Sequence, residues 1–160
     1  MNFKSLIGAA GGLTAAAALA TGIALSIVKD HEGLSLRAYQ DSVGIQTICH
    51  GHTGDVHPNQ RKTLPECNDL LNKDIASAQS AVERLVEVPL TPERHAALSS
   101  FVFNVGAKKL ASSTLLKKLN SGDTRGACEE LSRWVYAGKE KLRGLIRRRA
   151  VERQLCEVGL

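Results

Sequence analysis

The sequence predicts an α+β fold dominated by helices, and three observations carry that prediction. Beyond residue 64 the apolar residues recur at helical spacing, between clear capping signals. Between residues 38 and 54 the period shortens to two and glycines punctuate the segment. The chain opens on a weakly apolar run that carries no charge. With 160 residues and 17.2 kDa there is one ordinary domain, long enough to bury a core. Apolar residues at 43% and only four prolines exclude a disordered tail, a collagen-like rod and a multi-domain enzyme.

Taken in order, Ser5 to Val28 is uncharged over 24 residues, and a helix of that length reaches ~36 Å, enough to cross a ~30 Å hydrocarbon layer. Only eight of its members are large aliphatics; the other sixteen are Ala, Gly, Ser and Thr. Each strong aliphatic favours insertion by only ~0.3–0.6 kcal/mol, so membrane residence is expected to be marginal. Three readings stay open: a signal peptide cut after Ala18-Leu19-Ala20, a permanent anchor, and an uncleaved anchor weak enough to leave the bilayer. Lys4 precedes the run and Lys29, Asp30 and Glu32 follow it, which places the rest of the chain outside the cytoplasm. Gly22 to Glu32 is expected to be a short helix, stopped by Gly33.

Ile45, Thr47 and Cys49 alternate with Gln46, Ile48 and His50, a small β-hairpin region in which Cys49 would share the Thr47 face. Pro65 opens a helix to about Val86, with Leu70, Leu71, Ile75, Ala78, Val82 and Leu85 on one stripe. Thr91-Pro92-Glu93 starts another helix, which ends near Asn104-Val105-Gly106. Further helices are expected over 113–119, 123–136 and 142–156.

Between Lys139 and Arg153, seven Lys/Arg stand against two Glu, equal to the whole net charge of +5. Charge patterning favours the solvated face of a C-terminal helix; the sharper reading is a surface for an anionic partner. Aromatic residues at 4%, with no stacking motif, argue against nucleic acid as that partner. Four cysteines suffice for two disulfides in an oxidising compartment and leave three pairings open. Cys49, His50, His52, His57 and Cys67 fit no closed zinc site, so no metal and no cofactor are expected.

Two acids stand out. Glu32 ends a predicted helix, where its charge faces the negative end of the helix dipole, an arrangement that favours the protonated form a general acid needs. Asp41 lies in a glycine-punctuated turn where a carboxylate stays wet and charged, and the Thr47 hydroxyl could hold a water beside it. A neutral acid paired with a charged carboxylate is the requirement of glycosidic bond hydrolysis.

Glu32, eight residues, Asp41, five residues and Thr47, within HEGLSLRAYQDSVGIQTICHGHTG, resemble the Glu-x8-Asp-x5-Thr triad of the phage-type lysozymes, or endolysins. The resemblance continues, in register, through SFVFNVG (Ser100 to Gly106), STLLKKLNSGD (Ser113 to Asp123), RWVYAGK (Arg133 to Lys139) and GLIRRRAVE (Gly144 to Glu152), so that it covers Ile27 to Cys156. The N-terminal run resembles the signal-arrest-release anchors of some lambdoid phage endolysins.

The resemblance implies a lysozyme-like fold, with residues 1–28 as a releasable signal anchor and 29–160 as the catalytic domain. It implies muramidase activity on peptidoglycan, with Glu32 as acid, Asp41 as second carboxylate and Thr47 as polar helper. Asn104 would line the saccharide cleft, unless it serves only as a helix cap, and the Arg147–Arg149 run would bring a guanidinium to the carboxyls. Inversion or retention depends on the carboxyl separation, with the family leaning to inversion. The expected pairings are Cys49–Cys67 and Cys128–Cys156. Asp41 is intact and the apolar run lacks cysteine, which argues against a thiol switch. A monomer is expected, held in the host inner membrane through residues 5–28 and then soluble in the periplasm. The main alternative is a membrane-tethered peptidoglycan-binding protein with an inactive triad.

Overall fold

A computed structural model describes residues 14–41 and 44–160. Helix α1 spans Ala15–Glu32, with Thr14 as its N-cap and the Ala17 amide donating to the Thr14 hydroxyl at 3.2 Å. It starts well before the expected Gly22, because the alanine run has the highest helix propensity of any residue and Thr14 supplies the start signal. Ala20, Ala24 and Val28 recur every fourth residue and pack on Leu71, Ile75 and Ala96. The later part of the apolar run and Glu32 therefore share one continuous helix. Residues 5–13 of that run lie outside the described residues, and no described helix is long and apolar enough to cross a membrane.

Strands β1 (Ser35–Gln40) and β2 (Gln46–Cys49) pair antiparallel, with Tyr39 opposite Thr47 and Ser35 opposite Cys49, and the register shifts between those pairs. The other edge of β1 is covered: the Ala38 amide donates to the Gln60 carbonyl and the Lys62 amide to the Leu36 carbonyl. The expected alternation ends at Cys49. Thr47, Ile48, Cys49 and His50 are all buried, and Cys49 takes φ 61°, outside strand geometry, in its disulfide to Cys67. A shared Thr47–Cys49 face is thus replaced by a turn that ties the hairpin to α2.

Helix α2 (Leu64–Leu85) is the spine. Thr63 and Glu66 form a capping box, with Pro65 in the first turn. Its start packs Cys67 with Ile48 and Cys49, its middle packs Leu71 and Ile75 on α1, and its end puts Ala78, Ala81 and Val82 into the main core. Helix α3 (Pro92–Val105), capped by Thr91, runs through the centre and is buried from Ala96 to Val102.

The rest of the helical lobe comprises α4 (Ala107–Ala111), α5 (Thr114–Asn120), α6 (Thr124–Glu130), a 3-10 turn (Leu131–Arg133), β3 (Tyr136–Ala137), β4 (Glu140–Lys141) and α7 (Arg143–Cys156). The helix expected over 123–136 stops at Glu130. Trp134 leaves the helical path to pack edge-on against Phe101, with ring centroids 5.1 Å apart, and its carbonyl accepts from Arg149 Nε at 3.1 Å. Tyr136 and Ala137 then enter a short hairpin with Glu140 and Lys141. Cys128–Cys156 joins α6 to the end of α7, so both disulfides follow the expected pairings.

Candidate active site

Glu32 is the last residue of α1, with Gly33 as cap at φ 68°. That φ suits glycine and turns the chain directly into β1. The hairpin comes back over the acid at Gly51. A Cβ there would stand 3.1 Å from Glu32 Oε2, so a bare backbone lies against the carboxylate. On the other side Arg148 of α7 donates to Glu32 Oε1. Two opposing fields act on this carboxylate: the negative end of α1 and a full guanidinium charge.

Arg148 is buried, and each of its nitrogens has a partner. Besides Glu32 it donates to Glu152 Oε1 at 3.1 Å and, through Nη2, to the Ser100 carbonyl at 3.1 Å. Glu152, at 0% exposure, also accepts from Ser100 Oγ at 2.7 Å and from Arg149. Arg149 in turn donates to Asn104 Oδ1. An unbroken chain of hydrogen bonds thus runs from Glu32 through Arg148, Glu152 and Arg149 to Asn104, with two cations matched by two anions. Burial pulls the Arg149 guanidinium below the usual arginine range, and the adjacent Glu152 charge opposes that pull. His31, beside the acid, is lowered by burial and then by the Arg148 charge.

The solvated-face reading of the basic run is therefore corrected for Arg148 and Arg149. They lie under α3, with Phe103 at 5.8 Å from Arg148 and Phe101 at 4.9 Å from Arg149. Arg147 remains exposed. Asn104 is exposed on the last turn of α3, whose cap is Gly106.

Asp41 and Thr47 meet at Ile45. The Asp41 carboxylate accepts from the Ile45 amide at 2.8 Å, and the buried Thr47 hydroxyl donates to the Ile45 carbonyl at 3.1 Å. Asp41 is half-buried and closes the turn rather than standing free in it, while Thr47 is spent on a backbone oxygen. Both residues thereby set the shape of the hairpin loop.

A cleft of about 360 Å3 opens between the hairpin and the helical lobe. Gly51, His52 and Thr53 line one wall; Asp74, Ser77 and Arg84 of α2 and Phe103 of α3 line the other. Glu32 lies beside Gly51 and Arg148 beside Phe103, so the pair sits directly behind two residues of the cleft lining. His52 Nδ1 lies 2.7 Å from Asp74 Oδ2 and bridges the two walls. Cys49 and Cys67 are joined in a disulfide, which leaves no thiolate beside His50 and His52.

Sequence reasoning missed Gly51, Ser100, Phe103 and Glu152 as parts of this site. All four lie inside motifs that carry the resemblance, and Glu152 also stands four residues after Arg148, the spacing of a helical ion pair.

Two lobes sharing one helical spine, with a carboxylate beside the cleft between them, define a lysozyme-type hydrolase. The phage lysozyme family model matches residues 29–152, and the chain belongs to that family; it is a lysozyme. The chain is 45% identical to the SAR-endolysin of Bacteriophage PS119 over 129 residues, 80% of this chain and 77% of that protein. The muramidase domain of SpmX from Asticaccaulis excentricus superposes with a TM-score of 0.78 at 31% identity, covering 91% of this chain and 97% of that domain. An endolysin from Escherichia coli O157:H7 phage FAHEc1 gives 0.76 at 28% identity, over 95% and 97%.

Proposed function

We propose that this chain is an endolysin that hydrolyses the β-1,4 bond between N-acetylmuramic acid and N-acetylglucosamine in peptidoglycan. In this reading Glu32 protonates the leaving oxygen, Asp41 is the second carboxylate, and Thr47 fixes the loop that presents it. Asn104 contacts the saccharide from the far end of the charged chain. The single observation that carries the reading is the position of Glu32: a carboxyl beside the cleft residue Gly51, gripped by a buried arginine, with bare backbone on its other side.

The same observation supports a mode of control. Glu32 is covalently continuous with the weakly apolar run through α1. While that run lies in the inner membrane, the acid is held away from Arg148 and the hairpin, and a displacement of about 1 Å already costs on the order of 100-fold in rate. Exit from the bilayer lets α1 dock and completes the site in the periplasm.

Mass spectrometry of digested peptidoglycan, wild type beside Glu32→Gln, tests the assignment. The expected products are muropeptides with reducing N-acetylmuramic acid, absent with the folded Glu32→Gln protein. Anhydro products would assign a lytic transglycosylase instead, and unchanged turnover by Glu32→Gln would remove Glu32 from the chemistry. Wall binding by the wild type without new reducing ends would favour the inactive tethered binder.

A further inference from the structure

We infer that His50 is a positioning residue for the reaction, a latch that seats Glu32 when α1 docks. The inference rests on the reading of Glu32 as the acid. His50 is 7% exposed, and its Nδ1 lies 2.5 Å from the carbonyl oxygen of Gly33, the residue that follows Glu32. A carbonyl can only accept, so Nδ1 carries the hydrogen and donates. The last carbonyls of a helix lack partners within it, and the end of α1 is therefore a place where an outside donor fixes position.

The residues on either side of His50 make this donor firm. Cys49 is joined to Cys67 at the start of α2, which anchors the latch to the spine of the molecule. Gly51 lies against Glu32 Oε2 with no side chain in the way. Cys49, His50 and Gly51 thus act in turn as anchor, donor and clearance. Arg148 holds the Glu32 carboxylate from the opposite side. A side-chain grip alone leaves the helix end free to slide; a second grip one residue further along fixes its register. The α1 contacts nearer its start are mainly small or aliphatic, Ala20, Ala24, Ile27 and Val28, with one polar tie from Thr21 to Gln79, and none of them is specific to the position of the Glu32 carboxylate.

The test compares His50→Asn, His50→Gln and His50→Phe in the full chain purified from the soluble fraction. The Asn amide reaches the position of Nδ1; the Gln amide reaches that of Nε2; Phe fills the space without a donor. With soluble glycan strands as substrate, kcat is expected to fall about 30–100-fold in Phe and Gln, as misplacement of a reacting group costs. KM should stay within about two-fold, and Asn should recover most of kcat. Imidazole 15N shifts of the wild type should show His50 as the Nδ1–H tautomer. A kcat loss shared equally by Asn and Gln, a loss carried by KM, normal turnover in all three, or an Nε2–H tautomer would overturn the inference. Should Phe fail to fold, the Asn–Gln contrast decides alone. Should wild type and Glu32→Gln be equally inactive on glycan, the proposed function fails, while the tautomer still reports on the latch.

Discussion

Helices α1 and α7 meet at the Glu32–Arg148 pair, yet they are attached to the protein in opposite ways. Helix α7 buries Arg148, Arg149 and Glu152 in a closed network and is bonded to α6 through Cys128–Cys156. Helix α1 is held by Ala20, Ala24, Ile27 and Val28, by the Thr21–Gln79 side-chain bond at 3.0 Å, and by its last residue. Neither disulfide touches it. An alanine methyl contributes only about 0.8 kcal/mol on burial, and the α1 seam retains a hollow of about 310 Å3 beside Ala16, Ala17 and Ala20. The ionic and covalent attachments stand on α7, and α1 joins them through a single carboxylate.

The largest effect on stability is expected from breaking the α7 network. Glu152→Gln leaves two buried guanidiniums with Glu32 as their remaining counterion and weakens the Ser100 bond. Removing one partner of a buried ionic network typically costs about 3–5 kcal/mol. Urea denaturation should show that loss with an unchanged m-value. A loss below about 1 kcal/mol, the range of exposed ion pairs, would mean that the cluster is solvated in solution.

A smaller effect, of opposite sign for fold and function, is expected on α1. Gly22 is exposed in the docked helix, and a Cβ there meets nothing within 4 Å. Gly22→Leu should stabilise the docked helix by up to about 1 kcal/mol through propensity, while it makes the apolar run more membrane-retentive. The protein should then shift from the soluble to the membrane fraction and lyse cells late. Lysis on the normal schedule with unchanged fractionation would separate activity from membrane exit.

The contrast between the two helices was only partly legible in the sequence. Pro65 and Thr91-Pro92-Glu93 announced α2 and α3, because helix starts are local chemistry, while the Thr63–Glu66 capping box before Pro65 went unread. Glu32 at a helix end was legible for the same reason, through Gly33. The burial of Arg148, Arg149 and Glu152 was not, because a charged helix face reads as solvated until a second helix supplies Ser100 and the phenylalanines. The stop at Glu130 was hidden likewise, since it depends on Trp134 meeting Phe101 from a distant segment. Asp41 and Thr47 were placed by the spacing of a resemblance; their common attachment to Ile45 emerges only from the turn itself. His50 was visible as a neighbour of Cys49 and as a rejected metal ligand, but not as a donor, since nothing local says that Gly33 needs one.

The smallest expected effect lies in the hollow under α1. His95 of α3 faces it with Nε2 buried and without a hydrogen-bond partner; Glu83 Oε1, at 3.7 Å, is too far to accept. Burial lowers the His95 pKa from its ordinary 6.5, opposed by the Glu83 charge and by a hydrogen bond to the Gln79 backbone. The folded protein thus favours the neutral ring, and the unfolded chain takes up the proton first. This contribution to stability is complete above pH 6.5 and is lost as pH falls through the lowered folded value. Because Ala16, Ala17 and Ala20 line the hollow, acid should loosen the first turns of α1 before it disturbs α7. His31 is also lowered, so the measurement needs a difference: Tm against pH for wild type and for His95→Gln. The two curves should run parallel above neutrality and diverge below about pH 6.5, with the variant losing less. Curves that stay parallel into acid would show that the His95 ring is hydrated and that the α1 seam is already open to water.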